Sequence, residues 1–282
     1  MIKINSRLKK ALGVFAVCYV GFCALVYVYP RPFFYNPITA PSDIEKARKD
    51  GFNAVRLDYT SEDGTPLYGW YAKPREKNGK LVIFMHGNSY HLETFYHKLL
   101  PFLKEGYSVF MPEYRGFGGI KGSICQKNLT ADAVAAVKFA NMLGYKNKNI
   151  IVYGFSLGTY MAADSVHRLQ DKGKFSALVL EAPFDNIVNA ARNSVPLPLP
   201  FETIIRDKYD TFSFIDKIQT RLLVMTGTKD RTVPSELSKN LYNQAVKPKK
   251  LIIYEGGAHS NLYDCNNPKD ILNWLKKTDE KA

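Results

Sequence analysis

Short apolar, β-branched runs alternate with longer amphipathic stretches along most of this chain, and one long uncharged run stands apart near its start. Residues 80–85, 107–111, 149–153, 177–180, 222–225 and 251–254 carry almost nothing polar, the pattern of strands buried on both faces of a parallel sheet. Residues 54–59 and 67–72 flank the turn residues 61–64 and predict an antiparallel pair leading into that sheet. Between the strands lie helical patterns, such as residues 130–143, which bury Val134 and Val137 and stop at Gly144. Regular alternation predicts an α/β fold, a mostly parallel central sheet with helices on both faces. The pattern breaks over residues 183–218, where Pro196, Pro198 and Pro200 exclude helix and central strand.

The uncharged run covers residues 11–29 and is long enough, at about 1.5 Å per residue, to cross a hydrocarbon core. Lys3, Arg7, Lys9 and Lys10 precede it and only Arg31 follows closely, which predicts a single-pass helix with a cytoplasmic N-terminus. The rest of the chain then faces the periplasm, a lumen or the exterior. A cleaved signal peptide is the alternative, disfavoured by the bulky or rigid residues at and just past the end of the run, Tyr27, Tyr29, Pro30, Arg31 and Pro32. The expected organisation is a basic flank (1–10), a transmembrane anchor (11–29), a stiff aromatic juxtamembrane linker (30–53) and one α/β domain (54–282).

The formal net charge of +13 does not point to nucleic acid, because the cations are scattered and form no basic helix. Lys247, Lys249 and Lys250 make the densest patch, at a strand start where solvated charge is ordinary. Cys18 and Cys23 fall in the apolar run; Cys125 and Cys265 fall on loops, and free thiols are expected there unless an outward-facing domain joins them. No Cys/His spacing suits a metal, and no cofactor is implied.

The chemistry concentrates after the strand at 149–153. Gly154-Phe155-Ser156-Leu157-Gly158 follows it and a helical pattern continues, the arrangement of a nucleophile elbow that holds a serine above the sheet edge. Gly154 and Gly158 are expected where a Cβ would strike neighbouring backbone. His259 lies in the loop after residues 251–254 and is the candidate base; His167 is expected on a helix surface, pointing away. Asp230, after residues 222–225, is the candidate acid, with Asp185 as its rival. His86-Gly87-Asn88 follows the strand at 80–85, so the backbone N–H groups of Asn88 and Leu157 are the candidate oxyanion donors, and His86 is expected to be a structural hydrogen-bonder.

Taken in order from about Ala54 onward, these segments resemble the serine hydrolases of the α/β-hydrolase fold. Tyr114-Arg115-Gly116-Phe117-Gly118 is similar to a turn found in a small-lidded branch that includes membrane-associated esterases and depalmitoylases. The resemblance implies hydrolysis of carboxylic esters or thioesters through an acyl-enzyme, with an acyl ester or lipid-like molecule as substrate. It also implies that residues 183–218 form a short cap over the site. Phe184, Ile187, Val188, Leu197, Leu199 and Phe201 are then candidates for lining an acyl pocket, with plain packing of the cap the equal alternative. An amidase or peptidase of the same fold, and a non-catalytic membrane-tethered binding module, are the alternatives.

Overall fold

A computed structural model describes residues 5–89, 91–195 and 197–279. Eight strands form one sheet: β1 (Ala54–Thr60), β2 (Pro66–Ala72), β3 (Leu81–Met85), β4 (Ser108–Pro112), β5 (Ile150–Phe155), β6 (Ala177–Glu181), β7 (Leu222–Gly227) and β8 (Lys249–Tyr254). Their spatial order is β1-β2-β4-β3-β5-β6-β7-β8. The β1–β2 and β2–β4 pairs are antiparallel, and every pair from β4 through β3 to β8 is parallel. The antiparallel pair runs as the sequence predicts, Ala54 opposite Ala72 and Thr60 opposite Pro66.

Ten helices accompany the sheet among the described residues: α1 (Ser6–Val28), α2 (Arg31–Phe34), α3 (Ile44–Lys49), α4 (Leu92–Lys104), α5 (Gln126–Met142), α6 (Leu157–Leu169), α7 (Ile187–Ser194), α8 (Phe201–Ile204), α9 (Ser235–Gln244) and α10 (Asn267–Asp279). Side chains alternate along the central strands, which builds two cores. Leu81, Ile83 and Met85 of β3 face the layer of α5, α6 and α9, with Val137, Met161 and Leu241. Val82 and Phe84 face the layer of α3, α4 and α10, with Ala47, Leu99 and Leu275. Both faces are covered, so the central strands need no polar side, and they have almost none.

Three elements differ from the sequence-based expectation. Strand β8, predicted to be buried on both faces, lies at the sheet edge and leaves Ile253 44 % exposed, because among the described residues no strand covers its outer side. Helix α5 begins at Gln126, one turn before the predicted start at 130, because Leu129 and Thr130 already pack inward. Residues 30–53 are more than a linker: α2 and α3 form within them, and Phe52, Ala47 and Tyr35 are buried in the main cores.

Helix α1 begins at Ser6, so Arg7, Lys9 and Lys10 extend it beyond the apolar run. It is long and apolar enough to cross a membrane, a test that a signal sequence also passes. Most of its surface is exposed, with Phe15, Val17 and Val20 open, but its C-terminal half rests on the cap. Val26 packs among Val188, Phe201, Ile204 and Ile205, and the Tyr19 hydroxyl donates to the Pro198 carbonyl at 2.6 Å.

Candidate functional site

The parallel strands end along one sheet edge, and the predicted site residues sit on the loops beyond it. Ser156 lies between β5 and α6 with φ 51° and ψ −120°, a left-handed conformation forced by the abrupt reversal from strand to helix. The turn closes only because Gly154 and Gly158 lack side chains: a Cβ on Gly158 would run into the Met85 carbonyl of β3, and one on Gly154 into the Gly158 carbonyl. The Ser156 N–H donates to the Glu181 carbonyl of β6 at 2.9 Å, which pins the elbow to the sheet. Beneath it the buried Lys98 ammonium donates to Glu181 at 2.8 Å, and the Tyr153 hydroxyl donates to the same carboxylate.

The three residues predicted as nucleophile, base and acid form one hydrogen-bonded chain. His259 Nδ1–H donates to Asp230 Oδ2 at 2.7 Å, and the Ser156 hydroxyl, 2.9 Å from His259 Nε2, donates to that nitrogen. The carboxylate is an acceptor, so the proton belongs on Nδ1 and Nε2 keeps its lone pair for the serine. Asp230 is 6 % exposed, and its second oxygen accepts the N–H groups of Thr232 and Val233 at 2.9 and 2.7 Å. Those two bonds hold the Asp230 carboxylate independently of His259. The loops of Asp230 and His259 are also tied to each other, the Lys229 N–H donating to the Gly257 carbonyl at 2.8 Å.

Asn88 and Leu157 border the same cavity as Ser156. Among the described residues, no protein acceptor meets either backbone N–H. Gly87 brings the loop against the elbow, since a Cβ there would stand 3.3 Å from that of Ser156. His86, fully buried, turns away from the cavity: its Nε2 meets Glu113 Oε1 and its Nδ1 meets the Gly87 carbonyl, each at 2.8 Å. That is the structural role expected of it. His167 stacks on Phe214 at 5.0 Å, remote from the serine. Asp185 spends both oxygens on the Asn186 N–H and the Asn189 amide at the start of α7.

The cavity measures about 470 Å³, within the usual range for small-molecule sites. Of the six cap residues nominated as lining, Phe184 and Ile187 border it. Val188 and Phe201 point the other way and pack against Val26 of α1, with Leu199 beside them, while Leu197 is 55 % exposed. The cap wall is instead one face of α7, where Ile187, Ala190, Ala191 and Ser194 follow each other at helical spacing. The opposite wall comes from outside the sheet repeat, from Pro30, Phe33, Phe34 and Tyr35. Of these two walls only Ile187 was named as lining from the sequence, although the helical spacing in α7 was a readable signal.

Arg115 of the Tyr-Arg-Gly-aromatic-Gly turn lies apart from the cavity. It binds Asp132 of α5 through Nη2 and Nε at 2.5 and 2.9 Å, and Asp63 of the β1–β2 turn at 2.6 Å. The guanidinium holds the exposed Asp63 carboxyl well below the usual carboxylate range, whereas burial pushes the Asp132 carboxyl up against the pull of Arg115. All four cysteines are unpaired.

Comparison with known proteins agrees with this architecture. A family model described as serine aminopeptidase, S33, matches residues 76–202. The lysophosphatidylserine lipase ABHD12 of Danio rerio is 31% identical over 295 residues, covering 87% of this chain and 74% of that protein. YfhR of Escherichia coli K12, an uncharacterised protein, is 28% identical over 272 residues, covering 93% of this chain and 91% of its own. Among solved structures, the Pyrococcus furiosus esterase Pf2001 superposes with a TM-score of 0.68 at 21% identity, over 86% of this chain and 98% of that one. Elbow, sheet order and sequence similarity converge, and the chain belongs to the serine hydrolases of the α/β-hydrolase family, related to the ABHD proteins.

Proposed function

We propose that this hydrolase is a membrane-anchored serine esterase whose relay is Ser156, His259 and Asp230. The observation that carries the reading is the continuous hydrogen-bonded chain from Asp230 to Ser156, opening into a largely apolar cavity. His259 Nε2 takes the Ser156 proton as Oγ bonds to the ester carbonyl carbon, and Asp230 stabilises the imidazolium that results. The carbonyl oxygen becomes an oxyanion facing the N–H groups of Asn88 and Leu157, where each fixed donor is typically worth about 3 kcal/mol of barrier. As the carbonyl re-forms, the ester C–O bond breaks and the leaving alkoxide receives the proton from His259. Water then attacks the acyl-enzyme, its proton passing to His259 and back to Ser156, and the carboxylic acid departs.

Helix α1 is the anchor in this reading, with the N-terminus cytoplasmic and the domain on the periplasmic, lumenal or extracellular side. The cavity is bordered by Pro30, Phe33 and Phe34, just past the C-terminal end of α1, so an acyl chain leaving the bilayer meets the cavity at the membrane surface. Acyl lipids are the favoured substrate class, and the name of the zebrafish relative makes lysophospholipids the first to try. The S33 description favours a second reading, hydrolysis of amides by the same relay. The deciding experiment treats detergent-solubilised full-length protein with a fluorophosphonate probe, then with matched esters, thioesters and aminoacyl amides. Labelling lost in Ser156→Ala with ester turnover supports the proposal. A folded wild type that neither labels nor hydrolyses any of them would leave a binding module.

A further inference from the structure

Asn88 has a side chain as well as the backbone N–H assigned to the oxyanion, and that side chain reaches out of the loop. Its Nδ2 donates to the Phe34 carbonyl at 2.7 Å, and its Oδ1 accepts the Asn36 N–H at 3.4 Å. One partner only accepts and the other only donates, so the amide has one satisfied orientation. Between those partners, Tyr35 is buried. Its hydroxyl is 2.8 Å from Asp207 Oδ2 and 2.6 Å from the Tyr209 hydroxyl, at the far end of the cap. Residues 34–36 are thus fastened to the cap on one side and to the loop of Asn88 on the other.

We propose that this segment, which precedes the first strand of the sheet, positions the oxyanion loop through the Asn88 side chain. The inference rests on the serine-hydrolase reading above. The loop is clamped from two directions. His86 holds the Gly87 carbonyl from inside the core, and the 34–36 segment holds Asn88 from the cavity side. Gly87 between them has no side chain of its own with which to pack, and only a narrow gap separates it from Phe155 and Ser156. A donor that must meet a developing charge is effective only when it needs no reorganisation, and displacements of about 0.5 Å matter. Asn88 is a positioning residue by its side chain and an oxyanion donor by its backbone. Because only Tyr29 and Pro30 separate α1 from α2, the seating of α1 and the aim of the donor are linked through one short stretch of chain.

The test uses full-length solubilised protein carrying Asn88→Ala, Tyr35→Phe or both. Four quantities are read: kcat and KM on p-nitrophenyl butyrate, inhibition by an alkyl boronic acid, and amide hydrogen exchange in residues 86–89. Asn88→Ala is expected to lower kcat about tenfold, with KM within about twofold, and to weaken the tetrahedral boronate in parallel. Exchange in the loop should quicken in both single variants. The double variant should be no slower than Asn88→Ala, because both substitutions cut the same tie. Unchanged loop exchange in Asn88→Ala, unchanged kcat, or full additivity would each overturn the proposal. A wild type inert towards ester and boronate would sink the serine-hydrolase reading instead, and loop exchange alone would then decide whether the segment holds the loop.

Discussion

His259 Nε2 stands 2.9 Å from Ser156 Oγ across 103 residues of chain, and three loops at one sheet edge bring the pair together. In the proposed relay, Ser156→Ala and His259→Ala each remove the proton transfer and are expected to lower ester turnover by about 10³- to 10⁶-fold. Asp230→Asn keeps the shape but offers an amide where a carboxylate fixed the tautomer, and should cost about 10⁴-fold in kcat. Steady-state kinetics with circular dichroism as a folding control checks all three. Full activity in any of them refutes its assigned role.

Acyl-chain selection should follow the α7 face rather than the proline-rich tip. Ala191→Phe narrows the cavity and is expected to reduce kcat/KM for long-chain esters about tenfold relative to butyrate, the scale of a few displaced methylenes. Leu197→Ala, at an exposed position away from the cavity, should leave the chain-length profile as it is. A p-nitrophenyl ester series from acetate to palmitate reads both.

Arg115→Leu should destabilise the fold without touching the site. It leaves Asp132 buried and unpaired, and losing one partner of such a pair typically costs about 3–5 kcal/mol. Urea unfolding followed by tryptophan fluorescence measures the loss. Activity per folded molecule should stay close to wild type.

Lys46 of α3 donates to Glu93 of α4 at 2.7 Å, and this bond holds the Glu93 carboxyl below its ordinary range. A carboxyl with a depressed folded pKa stabilises above its unfolded value, and the contribution disappears as pH falls through the folded one. The acid limb of stability, below about pH 4.5, should therefore be shallower in Glu93→Gln than in wild type. Thermal melts between neutral and acid pH compare the two slopes.

The middle of the sheet was legible because β3 to β7 are buried on both faces, so uninterrupted apolar runs such as Leu81–Met85 and Ile150–Phe155 announce themselves without reference to the rest of the chain. The elbow was legible for a related reason, its glycines being a local steric demand. Asp230 and His259 followed because each sits in the first loop after an apolar run, the buried β7 for Asp230 and the half-exposed edge strand β8 for His259. The Phe34 to Asn88 tie leaves no such mark, since a backbone carbonyl accepting from a side chain 54 residues away has no sequence signature. The cap misled for a different reason. Prolines at 198 and 200 show where regular structure stops but not which way the leucines between and before them point. They turn towards α1 and solvent, a direction fixed by tertiary contact with Val26 and Tyr19.

The left-handed backbone at Ser156 also restricts what chemistry can evolve at this position. Threonine is the nearest chemical relative of serine, yet a second substituent on Cβ is poorly tolerated where φ is positive. Cysteine and aspartate have an unbranched Cβ and avoid that crowding. A lineage built on this turn is therefore steered away from the most conservative exchange and towards nucleophiles that differ more in acidity and softness, so backbone sterics at one residue set which reactions are reachable by a single substitution.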